Sequence, residues 1–208
     1  MKEQGLKDGG WQANVEYFDD YVIKTPKTTQ EIREKIKRYY ADSTDLERKI
    51  KKLQEDWKNS IKIIKSGKIP LKLLAYPQFI DNDKIKQRRV KMLSEKFNEL
   101  ISKNNIMGAK KLVDKVIKFI ITLWSYGIHE ITFKFYSEMG LLDDNLVLVD
   151  IGELTNDKEI VREQLLEGNK KLESLRHLHH DKILDYYQEQ IKKRLTVKTL
   201  DKLWGSKP

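Results

Sequence analysis

Polar groups able to do chemistry sit where the hydrophobic period changes within Ile120 to Leu154, IITLWSYGIHEITFKFYSEMGLLDDNLVLVDIGEL. His129 and Glu130 follow an apolar helical stretch that ends at Tyr126-Gly127, and Asp150 follows the apolar strand Leu146 to Val149 and opens the turn Asp150-Ile151-Gly152. An imidazole beside a carboxylate can hold or move a proton, and a carboxylate presented by a turn can hold a hard cation. Burying the helix before His129 against the strand before Asp150 brings these groups together from opposite sides of the loop, so the pair is more informative than either residue.

Helix, polar loop, hydrophobic strand and Asp-x-Gly is the order of the catalytic loop and metal-binding turn of the protein-kinase superfamily, and the chain resembles that superfamily in its small, atypical branch, similar to lipopolysaccharide-core kinases and aminoglycoside phosphotransferases. His129-Glu130 stands where those proteins carry His-Arg-Asp or His-Gly-Asp, and Asp150-Ile151-Gly152 where they carry Asp-Phe-Gly. The resemblance covers about half the chain in pattern, with few residues identical to a motif. It implies an α+β, bilobed protein-kinase-like fold. Residues 1–90 would form a small N-terminal lobe of antiparallel sheet plus helix, and residues 91–208 a mainly helical C-terminal lobe.

The activity implied is phosphoryl transfer with ATP and Mg²⁺ as cofactors, in which the protein supplies a cation on the phosphates, carboxylates for the metal and a base for the acceptor hydroxyl. By resemblance, Glu130 is the base, His129 the scaffold of its loop and Asp150 the metal ligand, while Thr132 and Lys134 lie where related enzymes steady the transferring phosphate. Two departures stand out. Glutamate at 130 is one methylene longer than the usual aspartate. The usual second-metal asparagine maps to Phe135 or Ser137, neither of which carries an amide; Ser137 or the adjacent Glu138 is the ligand left for the metal. Slow or degenerate turnover is therefore expected, and the acceptor is not named by the sequence.

The elements that must position these groups begin with alternating aromatic and β-branched residues around Asp19-Asp20, which read as a hairpin with Tyr21-Val22-Ile23-Lys24 as its second strand. Val22-Ile23-Lys24 resembles the family's Val-Ala-Ile-Lys, which makes Lys24 the lysine on the nucleotide phosphates; Gly5, Gly9 and Gly10 ahead of it form a cut-down flap without Gly-x-Gly-x-x-Gly spacing. Thr28 or Thr29 caps a first helix to about Tyr40, and Leu46, Ile50, Leu53, Trp57, Ile61 and Ile64 mark a second that stops at Ser66-Gly67. The family needs an acid on this helix to hold the strand lysine. Glu55 lies opposite the apolar stripe and Asp56 on its flank, so both are candidates.

Leu71 to Ile80 and Ile85 to Val90, around Asp81-Asn82-Asp83, read as a second hairpin, with Gln87 to Met92 as the implied nucleotide hinge and Arg88-Arg89 as a candidate phosphate or nucleic-acid contact. A helix runs from Val90 to Ile101. The pattern loosens from Lys103 to Gly108 and resumes as the most apolar helix of the chain, and beyond Gly152 a loop at Glu153 to Asn156 leads to helices over Asp157 to Leu166 and Leu172 to Leu203. His177, His179, His180 and Asp181 form a possible metal group, although adjacent histidines diverge on a helix.

With 208 residues and 39% hydrophobic content the chain can bury one good core, and no apolar run is long enough for a membrane span. With no leader pattern at Met1, a cytoplasmic address is expected. The absence of cysteine excludes thiolate chemistry and disulfides. A formal net charge of +9 admits nucleotides, nucleic acid or acidic lipid as partners without choosing among them. The alternative to the phosphotransferase is thus a non-catalytic, basic, mostly helical protein that binds RNA or a protein partner; oligomeric state is open.

Overall fold

The computed structural model describes residues 6–7, 9–40, 45–81, 83–167 and 180–207. The first hairpin forms as expected. β2 (Ala13–Tyr17) and β3 (Tyr21–Pro26) pair around Asp19-Asp20, and β1 (Leu6–Lys7) extends the sheet on the far side of β2. Thr28 then starts α1 (Thr29–Tyr39) with a capping box: its hydroxyl accepts from the Glu31 amide, and the Glu31 carboxylate accepts from the Thr28 amide at 2.7 Å. The same carboxylate accepts from Asn14 Nδ2, which ties the helix to β2. α2 (Leu46–Lys65) buries Ile50, Trp57, Ser60, Ile61, Ile63 and Ile64 and stops at Ser66, with Gly67 left-handed at φ 72°.

The second hairpin is shorter than the sequence suggests. Leu71–Leu74 is a 3-10 helix, and only β4 (Gln78–Phe79) precedes β5 (Ile85–Arg88). Pro70 and Pro77 lack the N–H groups a strand needs, and Ala75 and Tyr76 between them turn left-handed. The buried carbonyls this leaves are satisfied from β5: Gln87 Nε2 donates to the Leu74 carbonyl at 2.8 Å and the Arg88 amide to the Ala75 carbonyl at 2.9 Å. β5 pairs with β3, completing an antiparallel sheet of order β1-β2-β3-β5-β4.

β6 (Lys91–Met92) opens a second antiparallel sheet with β8 (Met139–Leu142) and β9 (Asn145–Leu148), and α3 (Leu93–Ser102) follows without a loop. α4 (Ile106–Ser125) starts earlier than the loosened pattern implies, because Asn105 Oδ1 accepts from the Gly108 amide at 2.8 Å and caps a first turn that contains the glycine. α4 is the buried spine, with Trp124 and Ile120 fully enclosed, and it ends before Gly127 at φ 68°. Beyond it come β7 (His129–Glu130), the single-turn α5 (Phe135–Glu138), β10 (Leu154–Thr155), α6 (Lys158–Leu166), α7 (Asp181–Arg194) and α8 (Val197–Leu203). The expected loop at Glu153 to Asn156 thus contains a strand, which pairs with β7. The last expected helix is broken at Leu195-Thr196, where Thr196 caps α8. His177 and His179 lie outside the described residues, as does Gly5, while His180 precedes α7 as its N-cap residue.

The architecture is α+β, with small antiparallel sheets and helices dominating. One apolar core runs from Ala13, Trp57 and Ile85 through Phe97 and α4 to Leu200. Among the described residues no helix is long and apolar enough to cross a membrane.

Candidate functional site

β7 and β10 are the frame of the site. Their pairing sets His129 against Thr155 and Glu130 against Leu154, and the Ile131 amide donates to the Glu153 carbonyl at 3.0 Å. From α2, the buried Ser60 hydroxyl accepts from the Leu154 amide at 2.8 Å, so the stretch after Asp150 is fixed by a helix nearly a hundred residues earlier. The amides of Val149 and Asp150 both donate to the Glu138 carbonyl, at 2.7 and 3.2 Å, which joins the end of α5 to the Asp150 turn. Within that turn the Gly152 amide donates to Asp150 Oδ1 at 3.3 Å.

His129 is buried and neutral. Trp124 Nε1 donates to its Nδ1 at 3.0 Å, Phe133 packs on its ring, and burial pushes its pKa down to about 3. It scaffolds the loop and faces no cavity. Glu130, 1% exposed, has both oxygens engaged with its own loop: Oε1 accepts from the Thr132 amide at 2.7 Å and Oε2 from the Phe133 amide at 2.8 Å. These bonds shape the chain around Phe133, whose φ is 57°. The carboxylate expected to act as base is turned inward.

Lys24 is brought to the Asp150 turn from β3. Its Nζ donates to the Val149 carbonyl at 2.7 Å across 125 residues of sequence. Burial lowers its pKa, opposed by the negative charges of Asp150 and Glu138. Glu55 and Asp56 do not hold it: Glu55 is exposed and 3.8 Å from Lys51, and Asp56 pairs with Lys52 at 2.8 Å. The face that α2 turns toward the Asp150 turn carries Trp57 instead of an acid. A Cβ added to Gly152 would lie 3.1 Å from the Trp57 ring and 1.9 Å from Gln12 Oε1, so the turn admits only glycine unless Gln12 shifts. The acids acting on Lys24 are therefore Asp150 and Glu138.

Around Lys24 is a cleft of about 1390 Å³ lined by Gly9, Gly10, Gln12, Val22, Arg88 to Met92, Glu138, Asp150 and Glu153. Gly10 closes over Asp150, since a Cβ on it would stand 3.6 Å from Oδ2, and Lys35 Nζ from α1 donates to the carbonyls of Gly9 and Gly10 at 2.8 and 3.2 Å. Gln12 is 7% exposed and its Nε2 has no acceptor. Arg89 is engaged at the hairpin tip, donating to the Phe18 carbonyl at 3.1 Å, and Arg88 lies 3.7 Å from Asp143. Neither belongs to a free basic face.

Glu130, Glu138 and Glu153 bring carboxylate oxygens within 4.8 Å of one another. Glu130 and Glu138 share a hydrogen bond. Burial and mutual repulsion raise both pKa values, so the pair retains a proton that separate carboxylates would release. Glu153 is pushed up to about 7 by burial, with the Glu130 and Asp150 charges adding to it. Thr132 Oγ1 donates to Glu138 at 2.8 Å, and Lys134 Nζ stands 3.9 Å from it. Converging carboxylate oxygens near Asp150 form the donor set of a hard divalent cation, so the residues fit a magnesium ion, with Glu138 in the place considered for Ser137. The Ser137 hydroxyl instead donates to the Lys134 carbonyl at 3.3 Å. Glu153 escaped the sequence reading; its signal was an acid immediately after an Asp-x-Gly turn.

The site defines a lysine-and-carboxylate cleft between a twisted antiparallel sheet and a helical body. Compared with known proteins, the chain matches no family model, and no curated protein is significantly similar to it.

Proposed function

We propose that the protein is an ATP- and Mg²⁺-dependent phosphotransferase of bilobed, protein-kinase-like build, with the nucleotide in the Lys24–Asp150 cleft. The observation that carries this reading is the 2.7 Å bond from Lys24 to the Val149 carbonyl, which places a buried ammonium beside the Asp150 carboxylate under the Gly9-Gly10 flap. An ammonium and a carboxylate meeting in a roofed cleft suit a polyphosphate and its counter-cation. The unpartnered Gln12 amide adds a donor for a phosphate oxygen on the same wall.

Asp150 and Glu138 would hold the magnesium ion, which when bound offsets charge on the phosphate oxygens. Lys24 neutralises and orients the phosphates, Gly9 and Gly10 let the backbone approach them, and Arg88 to Met92 form the hinge beside the base. Glu153, which faces the cleft, takes the role of proton acceptor that Glu130 is too enclosed to fill. In the transfer, the acceptor hydroxyl oxygen bonds to the γ-phosphorus as the bond from that phosphorus to its bridging oxygen breaks. The diphosphate leaves with the electron pair, and the hydroxyl proton passes to Glu153.

ATP with magnesium should raise the melting temperature by a few degrees at saturating concentrations, because a ligand that binds only the native state stabilises it by mass action. Asp150→Ala should remove the magnesium-dependent part of the rise and Lys24→Ala should diminish all of it. No shift at millimolar ATP would put the helical RNA- or protein-binding alternative in front.

A further inference from the structure

A second cavity, of about 1330 Å³, adjoins the cleft and shares Lys134, Ser137 and Glu153 with it. Lysines reach it from separate parts of the chain: Lys62 from α2, Lys68 from the turn beyond, and Lys207 from the C-terminal end. None of the three forms an ion pair among the described residues, and Lys207 only lies 5.1 Å from the centre of the Tyr126 ring. The neighbouring acids are already engaged. Asp56 holds Lys52 at 2.8 Å, and Asp157 accepts from the Glu159 amide at 2.9 Å as the cap of α6. Three unneutralised ammonium groups around one concavity focus a positive potential that an anion relieves.

The rest of the wall is suited to a hydroxylated molecule. Gln164 donates through Nε2 to the Ile131 carbonyl at 2.9 Å, which leaves its buried Oε1 facing no donor. A buried acceptor without a donor is costly, and a ligand hydroxyl supplies what it lacks. Asn156 offers a further amide and Trp204 a flat apolar surface.

We propose that this cavity binds a phosphorylated sugar or polyol, its phosphate drawn to Lys62, Lys68 and Lys207 and its hydroxyls to Gln164 and Asn156. This deepens the phosphotransferase reading by naming the acceptor class, and it rests on that reading for the acceptor role but not for binding. The shared wall at Lys134, Ser137 and Glu153 is where acceptor and nucleotide would meet.

Titration calorimetry of the full chain with glucose 6-phosphate, glycerol 3-phosphate and inorganic phosphate, beside glucose and glycerol, tests it. The two phosphate esters should bind more tightly than inorganic phosphate and than their parents. The Lys62→Glu, Lys68→Glu double variant should weaken the esters about tenfold, more at low salt, while leaving the ATP-induced melting shift intact. Gln164→Leu should weaken the esters and spare inorganic phosphate. Equal binding of esters and parents, binding of inorganic phosphate alone, or esters indifferent to the double variant would overturn the proposal. Ester binding in this pattern without any ATP shift would uphold the cavity and refute the phosphotransferase.

Discussion

Glu130 and Glu153 are both carboxylates of one cluster, yet their oxygens are differently occupied, and that decides what each can do. Glu130 closes its own loop through two backbone amides, whereas Glu153 lines the open cleft. Glu130→Gln should therefore lower stability by about 1–3 kcal/mol, because an amide satisfies only one of the two N–H groups with an acceptor. Glu153→Gln should do the reverse. The folded chain keeps Glu153 protonated up to about pH 7, against an ordinary 4.5, so the stability it contributes is fully present below about pH 4.5 and is lost as pH rises through 7. The glutamine variant escapes that loss and should gain about 1–3 kcal/mol over the parent between pH 5 and 7, while losing phosphate transfer. Urea denaturation across that range measures it, and a constant difference would refute the shift. His129 works with the opposite sign: its pKa of about 3 against 6.5 gives stability that is present above pH 6.5 and lost as pH falls.

At the scale of elements, α2 reaches the site through Trp57 and Ser60 and not through an acid. Helical phase explains this, since the stripe that buries Trp57 and Ile61 carries Glu55 and Asp56 away from the Asp150 turn. Glu55→Ala and Asp56→Ala should leave the ATP-induced melting shift unchanged, whereas an acid that held Lys24 would diminish it when removed. The close approach of α2 and β2 to the turn makes a second expectation. Gly152→Ala should destabilise by about 1–3 kcal/mol through collision with Gln12, and Gln12→Ala in the same chain should recover part of that loss. Additive losses in the double variant would show that the glycine is needed for another reason.

For the whole molecule, the decisive feature is that the sheet-rich first ninety residues and the helical remainder share one apolar core, from Ala13 and Ile85 to Leu200. Tryptophan fluorescence and far-ultraviolet circular dichroism should then report one coincident unfolding transition, since Trp57 and Trp124 lie in that same cluster. Two separated transitions would mean that the halves fold apart. The net charge of +9 belongs to this scale as well, and it is expressed locally at the mouth of the second cavity.

The sequence by itself determined the elements whose signals are local. The hairpin around Asp19-Asp20, the Thr28 cap, the α2 stripe, the apolar spine of α4 and the strand before Asp150 all follow from periodicity, capping chemistry and turn residues acting within a few positions. That Lys24 would lie beside Asp150 was also legible, because the order of elements constrained it. Tertiary structure alone decided which acids matter. Glu130 turned inward because two amides of its own loop faced it, Glu138 and Glu153 converged because β7 pairs with β10, and Trp57 met Gly152 because Ser60 anchors that strand to α2. The 3-10 turn at Leu71–Leu74 was likewise hidden, for its cost is met by Gln87, a partner thirteen residues away. Such contacts depend on distances between side chains remote in sequence, and no local pattern encodes them.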